Sequence, residues 1–186
     1  MSYVEWYLDE IGRIMHQLPQ DQIVQIIRIL RRARLEHRLI FLIGNGGSAA
    51  TASHFANDLL KSTVVEGKPR MRVIALTDSI PVMLAYANDC GYETIFAEQV
   101  DALSEPGDVL IAFSGSGRSA NVLRALDLAK ARGLTTVGFT GRDGGQMRDR
   151  CDLCLVVPCQ PMEQIEDVHL VLAHLVYSAI RDETVV

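Results

Sequence analysis

His54 and Asp58 stand four residues apart in a stretch whose apolar spacing predicts a helix, so both side chains face the same way. An imidazole beside a carboxylate can take a proton from one atom and deliver one to another. A second pair, Glu166 and His174, stands eight apart on the last predicted helix, a looser alignment. Asp167 and His174, seven apart, are better aligned by spacing alone. Each group also has a plain alternative. His54 and Asp58 can be an ordinary ion pair on a helix face. His174, among Leu170, Val171, Leu172, Leu175 and Val176, can be a core histidine with a satisfied hydrogen bond.

Two loops carry a different chemistry. Gly44-Asn45-Gly46-Gly47-Ser48 lies between a predicted strand and a predicted helix. Glycines let the backbone approach an anion closely, and a helix N-terminus offers unpaired N–H groups. Ser48 adds a hydroxyl and is expected to cap the helix. Ser114-Gly115-Ser116-Gly117-Arg118-Ser119 repeats the arrangement with three serines, whose hydroxyls and amides can surround phosphate oxygens. Neither loop is a P-loop, because no Gly-Lys-Ser/Thr is present, and neither completes GxGxxG with a following ribose-binding acid. Either alone can be a simple turn. Their occurrence at equivalent strand ends points to a bound phosphate.

The elements that must hold these residues are legible from periodicity. Continuous apolar runs at 39–43, 73–76, 109–113, 135–139 and 153–157 predict strands buried on both faces. Helical patterns at 48–61, 80–88, 95–104 and 119–132 alternate with them, and a last helix is predicted at about 162–182. Alternation of this kind implies βαβ units, right-handed crossovers and an α/β fold with helices on both faces of a five-stranded parallel sheet. Residues 1–37 read as an N-terminal helical hairpin broken at Pro19, with Asp21 expected to cap the second helix.

The 186 residues fit one domain, with 1–37 as appended helices and 38–182 as the core. A formal net charge of -5 argues against non-specific binding of nucleic acid. The cluster Arg28, Arg31, Arg32, Arg34 and Arg38 reads as a solvated helix face. No apolar run is long enough to span a membrane, and the N-terminus has no basic segment leading into an apolar one, so a cytoplasmic location is expected. Cys151 and Cys154 form a CxxC with no second CxxC to complete a zinc site. With Cys90 and Cys159 they are read as core cysteines of a reducing compartment.

Taken together, five segments resemble the phosphoheptose isomerases of the sugar isomerase (SIS) class. These are Gly44-Asn45-Gly46-Gly47-Ser48-Ala49-Ala50 with His54-Phe55-Ala56, and Asn88-Asp89-x-Gly91-Tyr92-Glu93-x-x-Phe96. Then come Pro106-Gly107-Asp108 leading to Ser114-Gly115-Ser116-Gly117-x-Ser119-x-Asn121-Val122, and Thr140-Gly141-x-x-Gly144-Gly145. The last is Ile165-Glu166-x-x-His169 with His174. The resemblance covers about residues 38–182 in order. It implies a three-layer SIS fold and a homotetramer with active sites at subunit interfaces.

The resemblance also implies a phosphorylated sugar substrate, with the phosphate held by Ser48, Ser114, Ser116 and Ser119 and the backbone of Gly115, and with Asn45, Gly46 and Gly47 beside them. Asp78 or Ser79 would reach sugar hydroxyls, and Glu163 would lie near the substrate. His54, Asp58, Glu166 and His174 would bind zinc, a set for which two imidazoles and two carboxylates are reasonable ligands. Asp58 and His174 would be the acid/base pair of an aldose–ketose isomerase. That enzyme would convert sedoheptulose 7-phosphate to D-glycero-D-manno-heptose 7-phosphate. Two positions depart from the pattern: Asp58 stands where Glu is usual, and Glu166 where Gln is usual. The competing expectation is a non-catalytic SIS module that senses a phosphosugar or binds a replication-initiator-type protein.

Overall fold

Leu39–Gly44 forms the first strand, β1, and its two faces explain its unbroken apolar sequence. In this computed structural model, which describes residues 1–183, Ile40 and Leu42 pack on one side of the sheet and Phe41 and Ile43 on the other. Successive side chains of a strand alternate faces, so a strand covered twice has no polar position. The other strands are β2 (Arg72–Ala75), β3 (Val109–Ser114), β4 (Thr135–Gly141) and β5 (Leu153–Val157). All pair in parallel, in the order β2-β1-β3-β4-β5. The edge strand β2 shows the opposite signature: Arg72 and Ile74 are exposed and Val73 and Ala75 buried.

The helices are α1 (Tyr3–His16), α2 (Gln20–Leu35), α3 (Gly47–Asn57), α4 (Ile80–Asp89), α5 (Ala97–Leu103), α6 (Ala120–Ala131), α7 (Met147–Arg150) and α8 (Met162–Arg181). One face of the sheet is covered by α2, α3 and α8 and the end of α1, through Ile26, Leu30, Phe55, Val168 and Leu172 among others. The opposite face is covered by α5, α6 and α7, through Val100, Val122, Leu126 and Met147. The result is the helix–sheet–helix layering that the alternating sequence requires.

Several local expectations are corrected. The second helix begins at Gln20 with Pro19 in the cap position, and Asp21 lies inside its first turn, where its charge favours the helix N-terminus. The apolar residues of α1 meet the core only toward its C-terminal end: Val4 and Leu8 are exposed, whereas Ile14 is buried and Ile11 and Met15 pack partly against it. Arg34 leaves the solvated arginine face and is 5% exposed, donating from Nε to the Pro69 carbonyl and from Nη2 to that of Thr63. Cys159 is buried, Cys90 is exposed, and Cys151 and Cys154 are half-buried. Helix α7 has no counterpart in the expected elements, since one turn is too short to show a period.

Candidate active site

The strand order reverses direction between β1 and β3, and ligands of such sheets bind in the crevice at the carboxyl ends of the strands there. The register places Gly44 beside Phe113, so the loops leaving β1 and β3 are neighbours. The first loop turns at Gly46, whose φ of 55° suits glycine. Gly46 occupies the cap position of α3, so Ser48 lies within the first turn instead of capping it, 5% exposed.

The second loop closes with the Gly117 N–H donating to the Ser114 carbonyl at 3.0 Å, and the Ser114 and Ser119 hydroxyls lie 3.4 Å apart. Asn45, Gly46, Gly47, Ser48, Ser114, Gly115, Ser116, Ser119 and Glu166 line one cleft of about 250 Å³. Its serine hydroxyls and the N-termini of α3 and α6 suit an anion. Arg118 is engaged outside this donor set: its guanidinium holds the Asp143 carboxylate at 3.1 and 2.6 Å. That pairing, with the Gly145 N–H, pulls the Asp143 pKa down to about 2.

A second centre forms where α3 packs on α8. The Nε2 atoms of His54 and His174 are 2.9 Å apart, and Asp58 Oδ2 lies 3.2 Å from the first and 3.7 Å from the second. Both imidazoles are half-exposed, whereas Asp58 is 7% exposed. Helix α3 passes into a π-helical turn, Asp58–Ser62, at this carboxylate. Turns of that kind are rare and recur at functional sites. The Thr63 hydroxyl donates to the Leu59 carbonyl at 2.6 Å and secures the turn.

This donor set fits a zinc ion. Two ring nitrogens and a carboxylate oxygen lie within 4.8 Å of one another, and Asp58 Oδ2 is buried with no hydrogen-bond donor assigned to it. Glu166 is not among them. It lies eight residues before His174, about 12 Å along the helix, and its carboxylate rests against Gly47 in the serine cleft.

Other expected residues fall elsewhere. Asp78 accepts a hydrogen bond from the Ser53 hydroxyl, and with Ser79 it lines a separate groove between α3 and β2. Glu163 is exposed in the first turn of α8. His169, which completes the last motif, is 1% exposed between Phe113 and Phe139, and its Nε2 lies 3.3 Å from the Thr140 carbonyl. Burial lowers its pKa to about 4, so it stays neutral.

Two residues gain a role only in three dimensions. The sequence marks Asn121 and Tyr92 merely as letters of motifs, yet both bond the Asn45 side chain. An amide at the second position of a helix that follows a serine loop is the signal that could have marked Asn121.

Comparison with known proteins sets the class. The SIS domain family matches residues 6–141, a span that contains both anion loops, His54 and Asp58. The phosphoheptose isomerase of Burkholderia pseudomallei (strain K96243) is 40% identical over 181 residues, covering 95% of this chain and 91% of the relative. That of Roseiflexus sp. (strain RS-1) is 40% identical over 181 residues, covering 94% and 91%. The solved phosphoheptose isomerase GmhA of Neisseria gonorrhoeae superposes with a TM-score of 0.89 at 32% identity, covering 97% of both chains. The chain therefore belongs to the phosphoheptose isomerase family of SIS domains.

Proposed function

We propose that this chain is an aldose–ketose isomerase that converts sedoheptulose 7-phosphate to D-glycero-D-manno-heptose 7-phosphate. The observation that carries the reading is the meeting of His54, Asp58 and His174 beside a serine-lined anion cleft, with α3 and α8 contributing to both. Family membership supports the substrate.

Ser48, Ser114, Ser116, Ser119 and the Gly115 backbone hold the phosphate, with Asn45, Gly46 and Gly47 shaping the cleft. Asp58 takes a proton from C1 of the ketose while His174 gives one to O2, leaving an ene-diol. His174 then accepts the O1 proton, and Asp58 returns its proton to C2, which yields the aldose. The same two groups serve both directions. The Asp58 carboxylate is one methylene shorter than the usual Glu, and the π-helical turn that starts there sets the position from which it reaches. His54, Asp58 and His174 would hold zinc, which when bound supplies a positive charge to offset the developing oxyanion.

The reading includes a homotetramer with sites completed between subunits. Asp78, Ser79 and Glu163 lie off the cleft of their own chain, and Tyr3, Val4, Leu8, Ile80 and Leu84 leave apolar surface exposed on α1 and α4. It also includes a cytoplasmic location, supported by four cysteines that are all free. No helix among the described residues is long and apolar enough to cross a membrane.

The test is NMR of purified protein with sedoheptulose 7-phosphate, with and without zinc, for wild type and Asp58→Glu. Aldose phosphate formed by wild type is the expected result. Phosphosugar binding without turnover in either protein would overturn the catalytic reading in favour of a sensor.

A further inference from the structure

The CxxC of the last strand is more organised than a pair of core thiols. Cys151 ends α7, with its N–H donating to the Met147 carbonyl at 3.1 Å. Cys154 lies in β5, opposite Gly138 of β4. Between them the chain bends at Asp152, and that bend is pinned. The Asp152 Oδ2 accepts from the Thr136 N–H and hydroxyl, both at 2.8 Å, and the Asp152 N–H donates to the Thr136 carbonyl at 3.1 Å.

The fixed bend turns both sulfurs toward the same spot. A Cβ on Gly138 would meet Cys151 Sγ at 2.7 Å and Cys154 Sγ at 3.1 Å. Glycine at this position is what leaves room for the two thiols. The two thiols are close enough for each to perturb the other's ionisation. Both residues are half-buried.

The pair is also electrically unequal. The hydrogen bond to Cys154, and then burial, push the Cys151 thiol up. The hydrogen bond from Cys151 holds the Cys154 thiol below its ordinary value, and Arg148 adds to that. A thiolate is the reactive form of cysteine, and a neighbouring thiol is its resolving partner.

We propose that Cys151 and Cys154 are a dithiol modification site, which hydrogen peroxide converts to an intramolecular disulfide. The Cys154 thiolate attacks one peroxide oxygen, the O–O bond breaks, and the hydroxide released takes a proton to become water. The resulting sulfenic acid is attacked by the Cys151 sulfur. The S–S bond forms, the S–O bond breaks, and the oxygen leaves as a second water with the Cys151 proton. Two thiols and one peroxide give one disulfide and two waters. A dithiol reductant reverses the step by thiol–disulfide exchange.

The test uses the wild-type protein. Native protein is exposed to a small excess of hydrogen peroxide, alkylated, and digested between Cys151 and Asp152 and after Leu155. The fragments bearing Cys151 and Cys154 are expected to remain joined, with two of the four thiols lost to alkylation and both recovered after reduction. Cys154→Ser is expected to slow the loss of Cys151 at least 10-fold. Three results would overturn the site: all four thiols surviving, Cys154 passing to sulfinic acid with Cys151 still free, or a bridge through Cys90 to a second chain.

Discussion

Asn45 and Asn121 exchange two hydrogen bonds of 2.9 Å, each amide donating to the other's oxygen. The two residues are 76 positions apart: Asn45 sits in the first loop of the cleft, and Asn121 in the first turn of α6, just after the second loop. Tyr92 donates a third bond to Asn45 Oδ1, and the Val122 N–H donates to Asn121 Oδ1, both at 2.9 Å. Asn121 is 2% exposed, so truncating it leaves the Asn45 amide without its partner. Leaving such a group unpaired costs about 1–3 kcal/mol. Asn121→Ala is expected to raise KM for the phosphosugar about 10-fold or more, with a smaller change in kcat. A lower kcat at constant KM would mean that the pair does not position the cleft.

The proposed acid/base roles of Asp58 and His174 can be separated from binding. His174→Ala and Asp58→Asn are each expected to reduce kcat by about 10²–10⁴, the range for a lost general acid or base. Phosphosugar affinity, measured by calorimetry, should change little, because the serine cleft lies along the helices from the cluster. Affinity falling in step with kcat would argue against the assigned roles. With zinc held as proposed by His54, Asp58 and His174, a chelator should lower turnover of the wild type and leave phosphate binding in place.

Gly47 and Glu166 give a test of shape. A Cβ at position 47 would strike the Glu166 carboxylate, the free end of a flexible side chain. The backbone itself favours alanine here, since Gly47 is helical and Ala is about 1 kcal/mol better than Gly in a helix. Gly47→Ala is therefore expected to fold well, to push the Glu166 carboxylate off its resting place toward the anion position, and so to weaken phosphosugar binding. Adding Glu166→Ala should restore much of that binding. A double variant as weak as Gly47→Ala would place the fault in the backbone.

His169 sets a pH dependence. Its pKa of about 4 in the fold lies below the ordinary 6.5, chiefly because it is buried. The unfolded chain therefore binds a proton that the folded one refuses as pH falls from about 6.5 to 4. Stability is full above 6.5 and declines through that window, by up to about 3 kcal/mol from this group. His169→Gln keeps a donor for the Thr140 carbonyl and has no proton to gain. Denaturant melts from pH 7 to 4 should show a shallower decline in the variant. Parallel curves would show that the loss arises elsewhere.

The sheet is legible in the sequence because its central strands are covered on both sides, and an uninterrupted run such as Leu39–Ile43 fits a doubly buried strand better than any exposed element. The anion loops are legible because glycine and serine at a strand end have a specific chemical use. What escapes depends on distance in three dimensions. The family resemblance groups Glu166 with His174, whereas within this chain a straight helix keeps them about 12 Å apart. Asp78 and Ser79 follow β2 at the edge of the sheet and line a groove other than the cleft of their own chain. The π-helical turn at Asp58 has no periodic signature, because five residues of altered winding leave the apolar pattern of α3 almost unchanged.

The central position of β1 and β3 also governs how the chain comes to be folded. Their register joins residues far apart in the sequence, as the bond from the Leu39 N–H to Asp108, 69 positions away, records. Closing so long a span has an entropic cost that must be met before its contacts form, which makes parallel pairing a slow step. Neither anion loop has its neighbour until that step is complete. A chain that stops short of β3 has no second loop beside the first and therefore no cleft. The cleft as a whole is thus a product of the β1–β3 pairing and not of either loop.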